Sequence, residues 1–108
     1  RDKLSQIPIT VQKIPNEYKS VYAQFSILFH NSNFRDKVQN KLSENGIPSV
    51  IYYRIPCHLQ SGYKFLNYQP NDFQISENLS ERILSLPMHP YLDDVEINKI
   101  CNIIEGCF

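Results

Sequence analysis

The chain has 108 residues, which is close to the commonest size of one domain, so residues 1–108 are predicted to fold as a single domain around one core. Eleven basic and eleven acidic residues give a formal net charge of zero without any run of like charge, which argues against nucleic acid or a membrane surface as a partner. The three cysteines show no CxxC spacing and no apolar run has the length of a membrane span, so we expect a cytoplasmic protein with reduced thiols.

The first half of the chain is predicted to contain two strands followed by a helix. Apolar and polar residues alternate over 7–11, but Pro8 cannot donate a ladder hydrogen bond, so this strand is placed at a sheet edge. Alternation is clearest over 20–30, which predicts the strongest strand. Asn33 is the expected cap of a helix over 34–45, and the Asn-Gly pair at its end is a stop signal.

The middle of the chain is predicted to form another strand and then an irregular segment. Apolar residues alternate with others over 47–55 until a proline ends the strand, which would place Tyr52 and Tyr53 on opposite sides. Turn-forming residues are frequent over 57–72, where a short helix is expected at 60–66.

A helix is predicted to follow the irregular segment. Asp72 is expected to open it, and Ile75, Leu79 and Ile83 would lie above one another on its apolar side. The Leu-Pro pair at 86–87 would close it, because proline cannot continue a helix.

A terminal amphipathic helix is predicted from its cap and its apolar stripe. Asp93 and Glu96 have the spacing of a capping box. The stripe that follows has the i, i+3, i+4, i+7 spacing of one helix face and consists of Ile97, Ile100, Cys101 and Ile104. Taken together, the elements predict an α+β, two-layer sandwich with a small, mostly antiparallel sheet and helices on one face.

No complete catalytic constellation is present in the sequence. There is no nucleophile motif, the histidines lack the short spacings of a zinc site, and the glycines are scattered. Tyr52, Tyr53, Arg54 and His58 follow one another around a predicted strand end, where they could form the wall of a polar-ligand pocket. The structural alternative is that the tyrosines are core and rim aromatics and that Arg54 and His58 are ordinary surface and loop residues.

Three segments of the chain resemble consecutive motifs of one enzyme family, the DegT/DnrJ/StrS aminotransferases, in the C-terminal domain of those proteins. The segments are YAQFSILF, NKLSENGIPSVIYYRIPCHLQSGYKFLNY and LSERILSLPMHPYL. The resemblance runs from about residue 4 to residue 105, and both the order and the spacing of the segments agree. Because Arg1 is not an initiator and Met88 is the only methionine, we expect the chain to be the C-terminal domain of a longer aminotransferase.

The resemblance implies a pyridoxal-phosphate enzyme of fold type I that aminates a nucleotide-linked keto sugar, with glutamate as amino donor, for amino-sugar or surface-polysaccharide synthesis. Its large N-terminal domain would hold the cofactor, and the small C-terminal domain would cover the active-site mouth of a homodimer. Pyridoxal phosphate needs a Schiff-base lysine, an acidic partner and a phosphate cup. The lysines of this chain lie in polar helices, turns or tails, so we expect the cofactor in the full-length parent only and no activity in this fragment.

The resemblance also marks Tyr52, Tyr53, Arg54 and His58 as substrate-binding residues. The family usually has His-Tyr where this chain has Tyr52-Tyr53, so a phenol that can hydrogen-bond a sugar or phosphate replaces an imidazole. His58 opens a matching His-x-Gln-x-x-Tyr pattern. The alternative function is a stand-alone α+β binding module on the same scaffold, because a fold alone does not determine function.

Overall fold

The computed structural model describes residues 1–108 and shows a three-stranded antiparallel sheet with helices, so the predicted α+β class is confirmed. The strands are β1 (Thr10–Val11), β2 (Phe25–Leu28) and β3 (Ile83–Leu86), and the α-helices are α1 (Ser32–Glu44), α2 (Gln74–Arg82) and α3 (Asp94–Glu105). Short 3-10 turns occupy Asp2–Leu4, Cys57–Leu59 and Ser61–Leu66, the last of which confirms the short helix expected near 60–66.

The sheet has the order β1-β2-β3, so β1 lies at an edge as Pro8 predicted. The central strand β2 is shorter than the predicted 20–30. Residues 20–24 stay outside the sheet, because Tyr22 has a φ of +46° and its backbone N–H donates to the Ser20 hydroxyl at 3.1 Å. Local side-chain capping of this kind competes with a strand ladder.

The strand predicted over 47–55 is absent. Only Val50 pairs with the sheet, through two backbone hydrogen bonds with Ser85 of β3 at 3.0 and 2.7 Å. Pro48 has no N–H to donate on one side of Val50, and the backbone turns at Tyr52 and Tyr53 on the other. The alternating pattern over 47–55 therefore predicted a strand that the structure does not contain.

The helix predicted to run from Asp72 to Leu86 spans only Gln74–Arg82, so Asp72 does not open it, and Ile83–Leu86 forms strand β3 instead. Leu84 of this strand lies opposite Ile27 of β2, and both are fully buried. Ile75, predicted to lie on the buried side of a long helix, is 80% exposed. Ile83–Leu86 pairs with β2 and, through Ser85, with Val50. The free energy gained by this burial exceeds the helical preference of the local sequence.

Helices α1 and α3 each begin at a side-chain cap. The cap of α1 is Asn31 rather than the expected Asn33, since the Asn31 Oδ1 accepts the Phe34 N–H at 2.9 Å. Gly46 follows the helix with a φ of +72°, as its stop signal predicted. The predicted capping box of α3, formed by Asp93 and Glu96, is confirmed.

The core lies between the sheet and the helices α1 and α3. Six large side chains have almost no exposure to solvent, namely Phe29, Ile27, Leu42, Leu84, Ile104 and Val38. The C-terminal Phe108 stacks on Phe34 with ring centroids 4.9 Å apart and so closes one end of the core. No helix combines the length and the apolar character needed to cross a membrane.

Candidate functional site

Two neighbouring cavities lie where residues 52–73 fold against helix α2. The tyrosine cavity has a volume of about 210 Å³, and Tyr52 and Tyr53 are in its wall. The His58 cavity has a volume of about 370 Å³ and contains His58 in its wall. Cys57 and Ser76 line both cavities, so the two volumes are adjacent parts of one surface.

Both tyrosines border the tyrosine cavity. Their rings meet edge to face with centroids 5.5 Å apart, and the residues are 39% and 59% exposed. Their expected placement on opposite sides of a strand is wrong, because the backbone forms a turn here instead. The opposite wall comes from α2 and β3 through Leu79, Ser80 and Ile83. Two tyrosines therefore form part of the wall of a largely apolar hollow.

His58 is held in an aromatic cluster within the wall of its cavity. Its side chain is only 7% exposed, and its ring contacts Phe73 at 4.9 Å and Tyr68 at 6.3 Å between centroids. Its Nε2 is buried without a hydrogen bond and lies 3.5 Å from a carboxylate oxygen of Glu77. The imidazole is thus held in place by the packed side chains around it and is not a freely moving loop side chain.

Arg54 lies apart from both cavities. Its guanidinium is 3.5 Å from the side-chain oxygen of Gln39 on α1, and it lines neither hollow. The structure therefore brings together three of the four predicted substrate-binding residues, Tyr52, Tyr53 and His58, and separates Arg54 from them. Whether any of them binds substrate stays a prediction.

Sequence reasoning missed Glu77, Phe73 and Ser76 as parts of the site. They lie at the start of α2, where an acidic residue in the first turn normally indicates helix-dipole stabilisation. No signal in the sequence links Glu77 to His58, because the contact forms only when the irregular segment folds back over α2.

The residues that line these two cavities do not fit pyridoxal phosphate. No lysine lines either cavity. Lys3 donates to Asn98, Lys37 donates to the Cys107 carbonyl at 2.6 Å, and Lys41 pairs with Glu44 at 3.3 Å. No group of three His, Cys, Asp or Glu side chains lies close enough to hold a metal ion.

A third cavity of about 250 Å³ lies between α3 and the turn after β3, and its lining is mostly apolar. Cys101 is in its wall, and burial raises the pKa of this thiol. We do not place the functional site here, because the wall has no converging set of polar groups.

Comparison with known proteins shows which family the chain belongs to. The profile of the DegT/DnrJ/EryC1/StrS aminotransferase family matches residues 1–105. The chain is 36% identical over 103 residues to the UDP-N-acetyl-3-dehydro-alpha-D-glucosamine 3-aminotransferase of Acidithiobacillus ferrooxidans, covering 95% of this chain and 27% of that protein. It is 33% identical over 98 residues to the UDP-2-acetamido-2-deoxy-3-oxo-D-glucuronate aminotransferase of Pseudomonas aeruginosa, covering 91% of this chain and 26% of that protein.

A solved structure has the same fold. An aminotransferase of this family from Brucella abortus superposes with a TM-score of 0.83 and 43% identity, over 97% of this chain and 27% of that one. The present chain thus spans about a quarter of the length of each of these relatives.

Proposed function

Because the chain belongs to the DegT/DnrJ/EryC1/StrS aminotransferase family, we propose that it is the small C-terminal domain of a pyridoxal-phosphate-dependent aminotransferase. The parent transfers an amino group from glutamate to a nucleotide-linked keto sugar in the cytoplasm, as a homodimer. The relatives from Acidithiobacillus and Pseudomonas, whose names specify UDP-linked keto sugars, support this substrate class. The product serves amino-sugar or surface-polysaccharide synthesis.

The observation that carries the proposal is the adjacency of the tyrosine cavity and the His58 cavity. Their walls place four tyrosines and one imidazole along one surface, joined through Cys57 and Ser76. Hydroxyl and imidazole groups beside apolar and aromatic walls suit a sugar, which presents both hydroxyls and C–H faces. The role of this chain is therefore to bind and orient the sugar nucleotide, while the cofactor is held by residues outside it.

The surface of the chain supports its role as one domain of a larger protein. Large apolar side chains are widely exposed, including Phe65 at 74% and Ile75 at 80%. Both belong to the stretch of chain that forms the two cavities or lies next to it. Extended exposed apolar surface marks contact with another protein surface. We propose that the large domain of the parent covers this face, so that the cavities become one side of a closed active site.

The first test is to read the coding sequence upstream of Arg1 and to express the whole protein. We expect roughly 250 further residues with a cofactor-binding lysine, given the usual sizes of domains, and an absorption band of the cofactor-lysine adduct in the whole protein. A start codon immediately before Arg1 would instead support the stand-alone binding module.

The second test concerns Tyr52. We expect Tyr52→Phe in the whole enzyme to raise KM for the sugar nucleotide by roughly 2- to 12-fold with little change in kcat, because one hydrogen bond is worth about 0.5–1.5 kcal/mol. Tyr91→Phe is the matched control, since Tyr91 is 88% exposed and lines none of the cavities described above. If the wild type and Tyr52→Phe had equal kinetics, Tyr52 would not be a substrate-binding residue.

A further inference from the structure

We propose that Glu77 is a positioning residue for His58. Its carboxylate holds the Nε2–H edge of the imidazole, so that Nδ1 is presented to the ligand as a hydrogen-bond acceptor. The ligand part of this inference rests on the proposed function and assigns Nδ1 to a sugar hydroxyl. The pairing of His58 with Glu77 is a property of this chain and does not rest on it.

The first reason is the burial of Nε2. This atom is shielded from solvent, makes no hydrogen bond to any other group, and has a Glu77 carboxylate oxygen 3.5 Å away. That separation exceeds an ordinary N–H···O distance of about 2.9 Å, and a small rotation of either side chain would close it. A buried polar atom without a partner is costly, so the carboxylate is the natural acceptor for an Nε2–H.

The second reason is that the carboxylate is itself held in place. Its two oxygens accept the backbone N–H of Asn71 at 2.9 and 3.0 Å. Asn71 has a φ of +74°, a left-handed conformation that asparagine adopts more readily than most residues. Glu77 also lies in the first turn of α2, where the helix dipole favours a negative charge. The acceptor for Nε2 is therefore fixed by the backbone before any ligand binds.

The third reason is the enclosure of the imidazole by aromatic rings. Phe73 and Tyr68 both meet His58 edge to face, with interplanar angles of 66° and 85°, and they also contact each other at 5.1 Å. These rings restrict the rotation of the imidazole and exclude water from its buried edge. An ion pair or hydrogen bond is stronger in such surroundings than in water.

The consequence concerns the second ring nitrogen. Nδ1 makes no hydrogen bond and is not among the buried atoms without a partner, so it stays in contact with solvent. When one nitrogen of a neutral imidazole donates to a carboxylate, the other carries the lone pair. His58 can then accept a hydrogen bond from a hydroxyl group of the ligand in the His58 cavity.

The pairing is tested by NMR of the 108-residue chain with ¹⁵N-labelled histidine. We expect one protected Nε2–H resonance, from His58, and none from His30 or His89, which are exposed and serve as internal controls. Glu77→Ala should make exchange of this proton with water faster by roughly tenfold or more, because a hydrogen bond to a charged acceptor is lost. Glu77→Gln keeps an acceptor oxygen and should restore much of the protection.

Two controls separate positioning from general loss of structure. Glu81→Ala changes an exposed acidic residue one turn further along α2 and should leave the His58 signal unchanged. If Glu77→Ala does not fold, Glu77→Gln and Glu77→Asp provide the comparison, and Asp should give faster exchange because its carboxylate is one methylene further away. A wild-type His58 that carries its proton on Nδ1 would overturn the proposal, and so would an unchanged exchange rate in Glu77→Ala or, where that variant does not fold, in Glu77→Asp.

The ligand part is tested in the whole enzyme. Glu77→Ala and His58→Ala should each raise KM for the sugar nucleotide, and the double variant should raise it no further than His58→Ala alone, because Glu77 acts through His58. Additive effects, or no change in KM, would overturn the assignment of Nδ1 to the ligand. A whole enzyme without transaminase activity contradicts the proposed function but leaves the NMR result on the pairing intact.

Discussion

Leu84 provides the sharpest test of the architecture, because it is buried only if residues 83–86 form a strand. Its side chain is fully shielded from solvent and lies opposite Ile27 in the sheet. Leu84→Ala should lower the free energy of unfolding by about 2–5 kcal/mol, since it removes buried methyl groups and leaves a cavity. Ile75→Ala is the matched control and should cost less than about 0.5 kcal/mol in this chain, because Ile75 is 80% exposed.

Urea unfolding followed by far-UV circular dichroism measures both changes. With a slope of about 1–3 kcal/mol per molar urea, the Leu84→Ala midpoint should fall by roughly 0.7–5 M. A domain of this size has a stability of only about 5–15 kcal/mol, so Leu84→Val, which removes a single methylene worth about 0.8 kcal/mol, supplies a milder variant that stays folded. If Ile75→Ala were as costly as Leu84→Ala, the long helix predicted from the sequence would be right and the strand wrong.

Three further predictions concern stability and thiol reactivity. Arg35 is buried and donates to the Ser80 carbonyl at 2.9 Å, so Arg35→Ala should destabilise the chain by about 1.5–3 kcal/mol in urea unfolding, and an unchanged midpoint would contradict this contact. Asp93→Ala removes the capping box of α3 and should cost about 1 kcal/mol, whereas Asp93→Ser should keep most of the stability. Iodoacetamide should modify exposed Cys57 well before Cys101, whose pKa is raised by burial, and mass spectrometry that finds equal rates would refute this order.

The elements predicted well from the sequence were those with local signals at their ends. Asp93 and Glu96 are three residues apart, and the capping box that they form depends on little else in the fold. Gly46 likewise marks the end of α1 through its own backbone conformation. The prediction of strand 47–55 was wrong because a strand needs a partner, and only Val50 finds one.

The candidate site was predicted in part. Tyr52, Tyr53 and His58 were selected as residues near a strand end, and the structure brings them to adjacent cavities although that strand does not exist. Arg54 was selected by the same reasoning and points to α1 instead. Glu77 could not be selected, because its link to His58 depends on how the irregular segment folds back over α2.

The sequence by itself therefore determined the α+β class, the capping box of α3, the stop signal after α1 and the resemblance to an aminotransferase family, since these depend on spacing along the chain. The tertiary structure decided that Ile83–Leu86 is a strand. Ser26 and Ser85 are 59 residues apart, yet their hydroxyls lie 2.7 Å from each other and their backbones pair across the sheet. Pairing with β2 packs the apolar side chains of Ile83–Leu86 against the core. The free energy gained by this burial exceeds the small helical preference of the same residues. The same kind of long-range contact places Glu77 beside His58.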